Sequence, residues 1–207
     1  MIHRLLYVGF LASLVATPAD AAPKKPAKNG VELSLANASA YCERVVTRAP
    51  GAGMPVPSTG PVAFHDGTPP AMGTPDLVKR FAQTQPSGRL ASGNPFYVNF
   101  ITKGADVWAV VYGETSSCDV MVTAGAGDMA AVAARLTESL VKSGWQRAAS
   151  SPAGGPGQLA QHVLTKKVPK ADAPDAGLTL RLRALSGTAA DPAGIQLDMS
   201  FLGGTLK

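Results

Sequence analysis

The 207-residue sequence is poor in the residue types that most often build catalytic and metal centres. It has two cysteines, three histidines and only 6% aromatic residues. Neither a Cys-x-x-Cys pair nor a His-Glu-x-x-His run occurs, which argues against a zinc site. The Gly-x-Ser-x-Gly elbow of serine hydrolases and a phosphate-binding loop that ends in Lys are missing as well. The sequence therefore predicts no catalytic residue and no metal ligand by motif.

Two histidines lie beyond the N-terminal segment, His65 and His162. His65 precedes Asp66-Gly67, a dipeptide typical of turns. His162 falls in a predicted strand, where a histidine is most often a structural residue of the sheet. A catalytic histidine needs a partner that sequence does not reveal. A hydrolase-type enzyme that uses His65 or His162 stays open as an alternative, although the balance is against an enzyme.

Glycines 125 and 127 give a relaxed match to a dinucleotide-binding fingerprint between a strand and a helix. That fingerprint needs a parallel strand–helix–strand unit and an acidic residue about twenty positions later. The region around Trp145 has no acid, and Asp128 would repel a pyrophosphate. We expect no cofactor.

The chain lacks a hydrophobic run long enough to span a membrane, but it opens on a shorter one. Leu5 to Val15 follows Arg4, and Ala19-Asp20-Ala21 has small residues where a signal peptidase reads. This pattern predicts a signal peptide over residues 1–21, with export to the periplasm or secretion and no membrane span after cleavage. An uncleaved anchor is the alternative. Residues 22–32 are then a basic linker of Pro and Lys.

The two cysteines, Cys42 and Cys118, both lie beyond the predicted cleavage site. An oxidising compartment would allow a disulfide between them. Each also lies on an apolar stripe, so two separate buried thiols fit the sequence equally well.

The strongest structural pattern covers residues 106–145. Val107 to Tyr112 is apolar at nearly every position, which predicts a strand buried on both faces. Cys118 to Ala124 alternates apolar and polar residues, which predicts a strand with Asp119 and Met121 toward water. A helical stripe follows between Asp128, a favourable N-cap, and Gly144. We predict a hairpin with this amphipathic helix laid across it.

The flanking sequence predicts further elements of both kinds. A first helix is expected from residue 33 to about 47, and a short one from Asp76 to about Gln83. Between them, residues 49–74 form a long loop rich in Gly and Pro. Residues 96–101 fit either a strand that leads into the hairpin or the end of a helix. Beyond the central unit, residues 158–168 read as a strand. Residues 178–184 and 195–201 alternate as a pair of neighbouring antiparallel strands.

Together these elements predict an α+β fold over residues 33–207. We expect a single two-layer domain: a mostly antiparallel sheet of about five to six strands with its helices packed on one face. The order of elements resembles profilin-like two-layer folds, a likeness of fold alone that implies no function.

The formal net charge of +5 raises the question of an anionic partner. Arg181 and Arg183, with Lys166 or Lys167, could form a basic strip on one sheet face, where the alternative is an ordinary solvated face. Basic residues are otherwise scattered, so nucleic acid is not expected. We expect a non-enzymatic binding or accessory protein, with an envelope protein or an anionic surface as partner. A small-ligand carrier that uses the space between sheet and first helix is a further alternative.

Overall fold

A computed structural model of the chain describes most of the predicted domain. The described residues are 30–49, 51–55, 62–65, 74–85, 88, 93–102, 105–112, 117–122, 128–152, 157–168, 174–186 and 194–202. The predicted signal peptide, residues 1–21, and the linker up to residue 29 lie outside them. The last three residues assigned to the linker, 30–32, belong to the first helix.

Three helices and eight strands make up the described part of the chain. The helices are α1 (Gly30–Thr47), α2 (Asp76–Thr84) and α3 (Met129–Lys142). The strands are β1 (Val62–His65), β2 (Phe96–Thr102), β3 (Ala105–Val111), β4 (Ser117–Val122), β5 (Gln146–Pro152), β6 (Gln158–Lys167), β7 (Gly177–Leu185) and β8 (Gly194–Leu202).

The strands form one sheet in the order β1-β2-β3-β4-β8-β7-β6-β5, and every neighbouring pair is antiparallel. The mixed α+β class and the antiparallel β7–β8 pair are as predicted. The sheet has two strands more than the upper expectation of six. The extra strands are the edges: β1 lies within the predicted loop 49–74, and β5 has too little apolar alternation to be recognised.

One face of the sheet carries the main core, beneath α1 and α3. Helix α1 packs on β2, β3, β4 and β8, and α3 packs on β6, β7 and β8 as well as on α1. The prediction that the helix after the hairpin lies across it is wrong, because α1 covers β3 and β4 instead. Leu35, Cys42 and Val45 of α1 have no exposed surface, so side chains fill this space.

Helix α2 lies on the opposite face and builds a second apolar cluster. Val78, Phe81 and Ala82 pack there against sheet residues of β2, β3 and β4 and the residue after β3. These are Tyr97, Trp108, Val110, Tyr112 and Met121. The structure thus differs from the predicted two-layer arrangement, since its helices cover both faces. Strand β3 is accordingly buried on both sides, as its continuous apolar run predicts.

The cysteines connect α1 to the sheet. The Sγ atoms of Cys42 in α1 and Cys118 in β4 lie 2.05 Å apart, at disulfide distance, with their Cα atoms 5.4 Å apart. Of the two alternatives left by the sequence, the structure has the bonded pair. Because the bond closes a separation of 76 residues, it constrains α1 over the centre of the sheet.

The ends of α3 follow the predicted capping chemistry. Asp128 accepts a hydrogen bond from the Ala131 amide at 3.0 Å, which satisfies a free donor of the first turn. Gly144 adopts φ 95°, a left-handed conformation that favours glycine. The Trp145 amide then donates to the Leu140 carbonyl, and the indole is buried.

No helix within the described ranges combines the length and the hydropathy that crossing a bilayer requires.

Candidate functional site

The sheet face that α2 partly covers, called the α2 face here, carries the chemistry of the described chain. Cross-strand pairing places its side chains in rows that run perpendicular to the strands. One row is Tyr97, Val110, Asp119, Asp198 and Arg181; the next is Trp108, Met121, Gln196, Arg183 and Gln161. Helix α2 packs over the β2–β4 half of the face. On β8 and β7 the rows continue with polar and charged residues, and on β6 they reach Val163 and Gln161.

Asp119 lies where these two halves meet. It pairs with the apolar Val110 on β3 and directly with Asp198 on β8. Its side chain is 0% exposed, and neither carboxylate oxygen has a hydrogen-bond partner in the described part of the chain. Asp198 is only half-buried. Two carboxyl groups on adjacent strands, one fully desolvated, cannot both ionise without cost.

The electrostatics of Asp119 follow from this position. Burial, followed by the negative charge of Asp198, raises the pKa of Asp119 from 3.8 to about 7. The Tyr112 hydroxyl and the Arg183 guanidinium act in the opposite sense but do not offset the loss of water. Asp119 therefore binds a proton near neutral pH, which is where ordinary aspartates are fully ionised.

Tyr112 connects the carboxyl pair to α2. Its hydroxyl donates to the Ala82 carbonyl at 3.1 Å, near the end of the helix. Burial and the nearby Asp119 raise the pKa of Tyr112 far above its usual range, so the phenol stays neutral and remains a donor. This bond is a polar attachment between α2 and the sheet, in addition to the apolar cluster.

A glycine permits this close packing. A Cβ atom on Gly88 would lie 2.0 Å from the Ala82 carbonyl oxygen and 3.0 Å from a ring carbon of Tyr112. We expect Gly88→Ala to lower the free energy of unfolding by about 1–3 kcal/mol, since helix and ring would have to shift. Urea denaturation of the variant and the wild type measures this difference in the free energy of unfolding. Gly53→Ala is the matched control: no atom lies within 4 Å of its Cβ position, so its effect stays within about 0.5 kcal/mol. Equal effects at both positions would contradict the steric reading.

Two clefts flank α2. The first has a volume of about 320 Å³ and lies between the helix and the ends of β2 and β3. Aromatic, amide and cationic side chains line it: Tyr97, Tyr112, Gln83, Asn94 and Lys79. Lys79 also forms an exposed ion pair with Asp76 at 3.1 Å. This cleft can accept a planar group with a negative charge at its rim.

The second cleft, of about 360 Å³, lies on the other side of α2, toward β4, β8 and β7. Its apolar lining includes Leu77, Phe81, Met121 and Leu185, and its polar lining Arg80 and Gln196. Both clefts are at the lower end of the size range of small-molecule sites.

The structure places three of the four residues considered for the basic strip on one face of the sheet. Arg181 and Arg183 both lie on the α2 face, Arg181 opposite Asp198 and Arg183 opposite Gln196. Lys166, which the sequence offered as a member, lies on the other face. There it pairs with Glu43 of α1 at 2.5 Å and lies 5.8 Å from the centre of the Trp145 ring. Lys167, the alternative member, lies opposite Gly177 on the α2 face and is exposed, so Arg181, Arg183 and Lys167 share that face.

His162 lines neither cleft. His162 lies on the face of β6 that carries the main core, opposite Leu182. Its Nδ1 atom is buried without a described partner. Burial and the charge of Arg147 lower the pKa of His162, and Glu138 raises it, although Glu138 itself pairs with Arg147. His65 ends β1 opposite Tyr97. Its side chain lies outside what the structure describes.

Sequence reasoning missed Asp119 because alternation in β4 assigned it to water. The register of the hairpin is the feature that could have indicated burial of this residue. Residue 119 pairs with Val110, which belongs to a strand that is apolar on both faces. A carboxylate aligned with that second apolar face is a candidate for burial.

Searches for similar proteins found no match to a family model, a curated protein or a solved structure. The likeness of element order to profilin-like folds carries no further weight.

Proposed function

We propose that this chain is an exported, non-enzymatic binding protein, periplasmic or secreted, whose contact surface is the α2 face. The observation that carries the proposal is the pair of clefts beside α2, on the face opposite the filled core. A concave surface that combines apolar walls with a few polar groups is the usual form of a ligand site. Arg181 and Arg183 add positive charge to the same face, which favours an anionic ligand or partner.

Export is supported by two independent features. The first 21 residues have the charge, apolar run and small residues of a signal peptide. The Cys42–Cys118 bond joins two elements of the core, and structural disulfides persist in oxidising compartments. A cleaved mature chain would begin at Ala22 and would be found outside the cytoplasm.

The alternatives receive less support. A small-ligand carrier that uses the space beneath α1 would need room where side chains of the main core are fully buried. A hydrolase would need a histidine beside a carboxylate within a cleft. His162 lines neither cleft, and Glu138, the one carboxylate among the described residues that affects its pKa, pairs with Arg147.

Titration with anilinonaphthalene sulfonate tests the proposal. This aromatic anion matches the tyrosine rings and the Lys79 ammonium of the first cleft, so we expect saturable fluorescence enhancement by the native protein. Backbone amide shifts should be largest in α2 and at the adjacent ends of β2 and β3. Lys79→Glu should weaken binding about fivefold, because reversing one surface charge changes the free energy of binding by about 1 kcal/mol.

Lys142→Glu is the matched control, since Lys142 is an exposed cation in the last turn of α3, on the other side of the sheet. It should leave the affinity unchanged. Shifts that spread over α1 and α3, or equal weakening by both substitutions, would overturn the assignment of the contact surface.

A further inference from the structure

The second cleft differs from the first in chemistry, and we propose that it binds a free single-chain amphiphile, an apolar chain with one anionic head group. The inference rests on the proposed function, because it assigns a ligand class to one of the two clefts.

The walls favour an apolar chain. Leu77 is half-buried at the edge of α2, while Phe81 and Met121 are 5% exposed at the base of the cleft. These side chains come from both the helix and the sheet, so they enclose a slot. Methionine adapts its shape to an irregular apolar ligand. Transfer of methylene groups from water into such a slot is favourable.

One end of the cleft is cationic. Arg80 is exposed at the rim, and no described carboxylate forms an ion pair with it, whereas the adjacent Lys79 is paired with Asp76. At the base, Gln196 pairs across the strands with Arg183 on the same face. The Nε atom of Arg183 is buried and has no hydrogen-bond partner in the described part of the chain.

These groups favour an anionic head. A guanidinium donates in a fixed fork that matches a carboxylate or phosphate oxygen pair. A head group placed against Arg80, with its chain toward Phe81 and Met121, would pair the exposed charge. A neutral or purely apolar ligand would leave the cationic end unpaired.

A free amphiphile fits better than a membrane surface. Membrane-binding faces expose several large apolar side chains to the lipid. Among the described residues, the exposed large apolar side chains are Leu33 and Leu159. Neither lines the cleft, and its own apolar side chains are recessed. We therefore expect the apolar chain of the ligand to enter the cleft, and we do not expect the protein to insert into a bilayer.

Calorimetric titration with monomeric decanoate tests the inference. We expect one saturable site per chain, with amide shifts at α2, β4 and β8. Arg80→Gln should weaken binding about tenfold, as expected for loss of one charge-assisted contact. Because Arg80 is exposed, this variant should keep its fold, which circular dichroism checks. Lys142→Gln should have no effect.

Decanol and anionic vesicles complete the design. Decanol, which has the same chain without the charge, should bind about tenfold more weakly than decanoate. Equal affinity for both would overturn the anionic head. Binding to phosphatidylglycerol vesicles that decanoate does not compete away would overturn the free amphiphile. If decanoate fails while anilinonaphthalene sulfonate still binds the first cleft, this inference is wrong and the proposed function stands. If both ligands fail, neither stands.

Discussion

Replacing Cys42 and Cys118 together by alanine should lower the free energy of unfolding by roughly 4–5 kcal/mol, or prevent stable folding altogether. The bond spans 76 residues, and a crosslink over so long a loop removes many conformations from the unfolded chain. It also joins the fully buried faces of α1 and β4, so its loss removes packed sulfur from the main core. Urea denaturation of the variant beside the oxidised wild type gives the difference.

Reduction of the wild type provides the matched control without any change of sequence. Reduced wild type should unfold near the midpoint of the double variant, and reductant should not move the midpoint of the variant itself. Denatured, unreduced wild type should take up no thiol label. Two labelled thiols per chain, or a wild-type midpoint that reductant leaves unchanged, would show that the bond contributes nothing.

The second large effect concerns Asp119→Asn and depends on pH. The folded pKa of Asp119 lies above its unfolded value, so its contribution to stability is fully present below about pH 4. That contribution is lost as the pH rises through about 7, because the buried group must then ionise. The asparagine variant cannot ionise. It should exceed the wild type in stability above about pH 8, by up to roughly 4 kcal/mol, and approach it in acid.

Two further variants test the cause of this difference. Asp198→Asn removes the second carboxylate and should lower the pKa of Asp119, which reduces the alkaline loss without abolishing it. Asp175→Asn changes an exposed carboxylate in a turn and should stay within about 0.5 kcal/mol of wild type at every pH. Unfolding free energies measured from about pH 4 to about pH 9 decide the matter. Parallel pH profiles for wild type and Asp119→Asn would show that Asp119 is not held in its acidic form.

The sequence predicted those parts of the fold that local patterns specify. The period of Met129 to Leu140 and the cap at Asp128 define α3, and alternation in residues 178–184 and 195–201 defines β7 and β8. Edge strand β1 was missed since four residues within a Pro- and Gly-rich segment have too short a pattern. The sequence also did not predict which helix covers which face of the sheet, because such packing joins residues far apart in the chain.

The candidate site illustrates the same limit. The arginines of β7 could be assigned to one face by alternation alone, and they do share it. Whether Lys166 joined them depended on the register of β6, which its own sequence does not fix. The burial of Asp119 required α2, Tyr112 and β8 together. Sites composed of such distant pieces emerge only from the assembled sheet.

The strand order has a consequence for how the chain reaches its native state. β8 is the last strand in the described part of the sequence, yet it lies in the interior of the sheet between β4 and β7. Before residues 194–202 are synthesised, strands β1–β4 and strands β5–β7 can form only two separate antiparallel groups. Strands β4 and β7, at the facing edges of these groups, then lack the partner β8 that joins them. Such edges are prone to wrong pairing, and contacts between distant strands form slowly. We therefore expect the two halves of the sheet to join only after residues 194–202 have been synthesised.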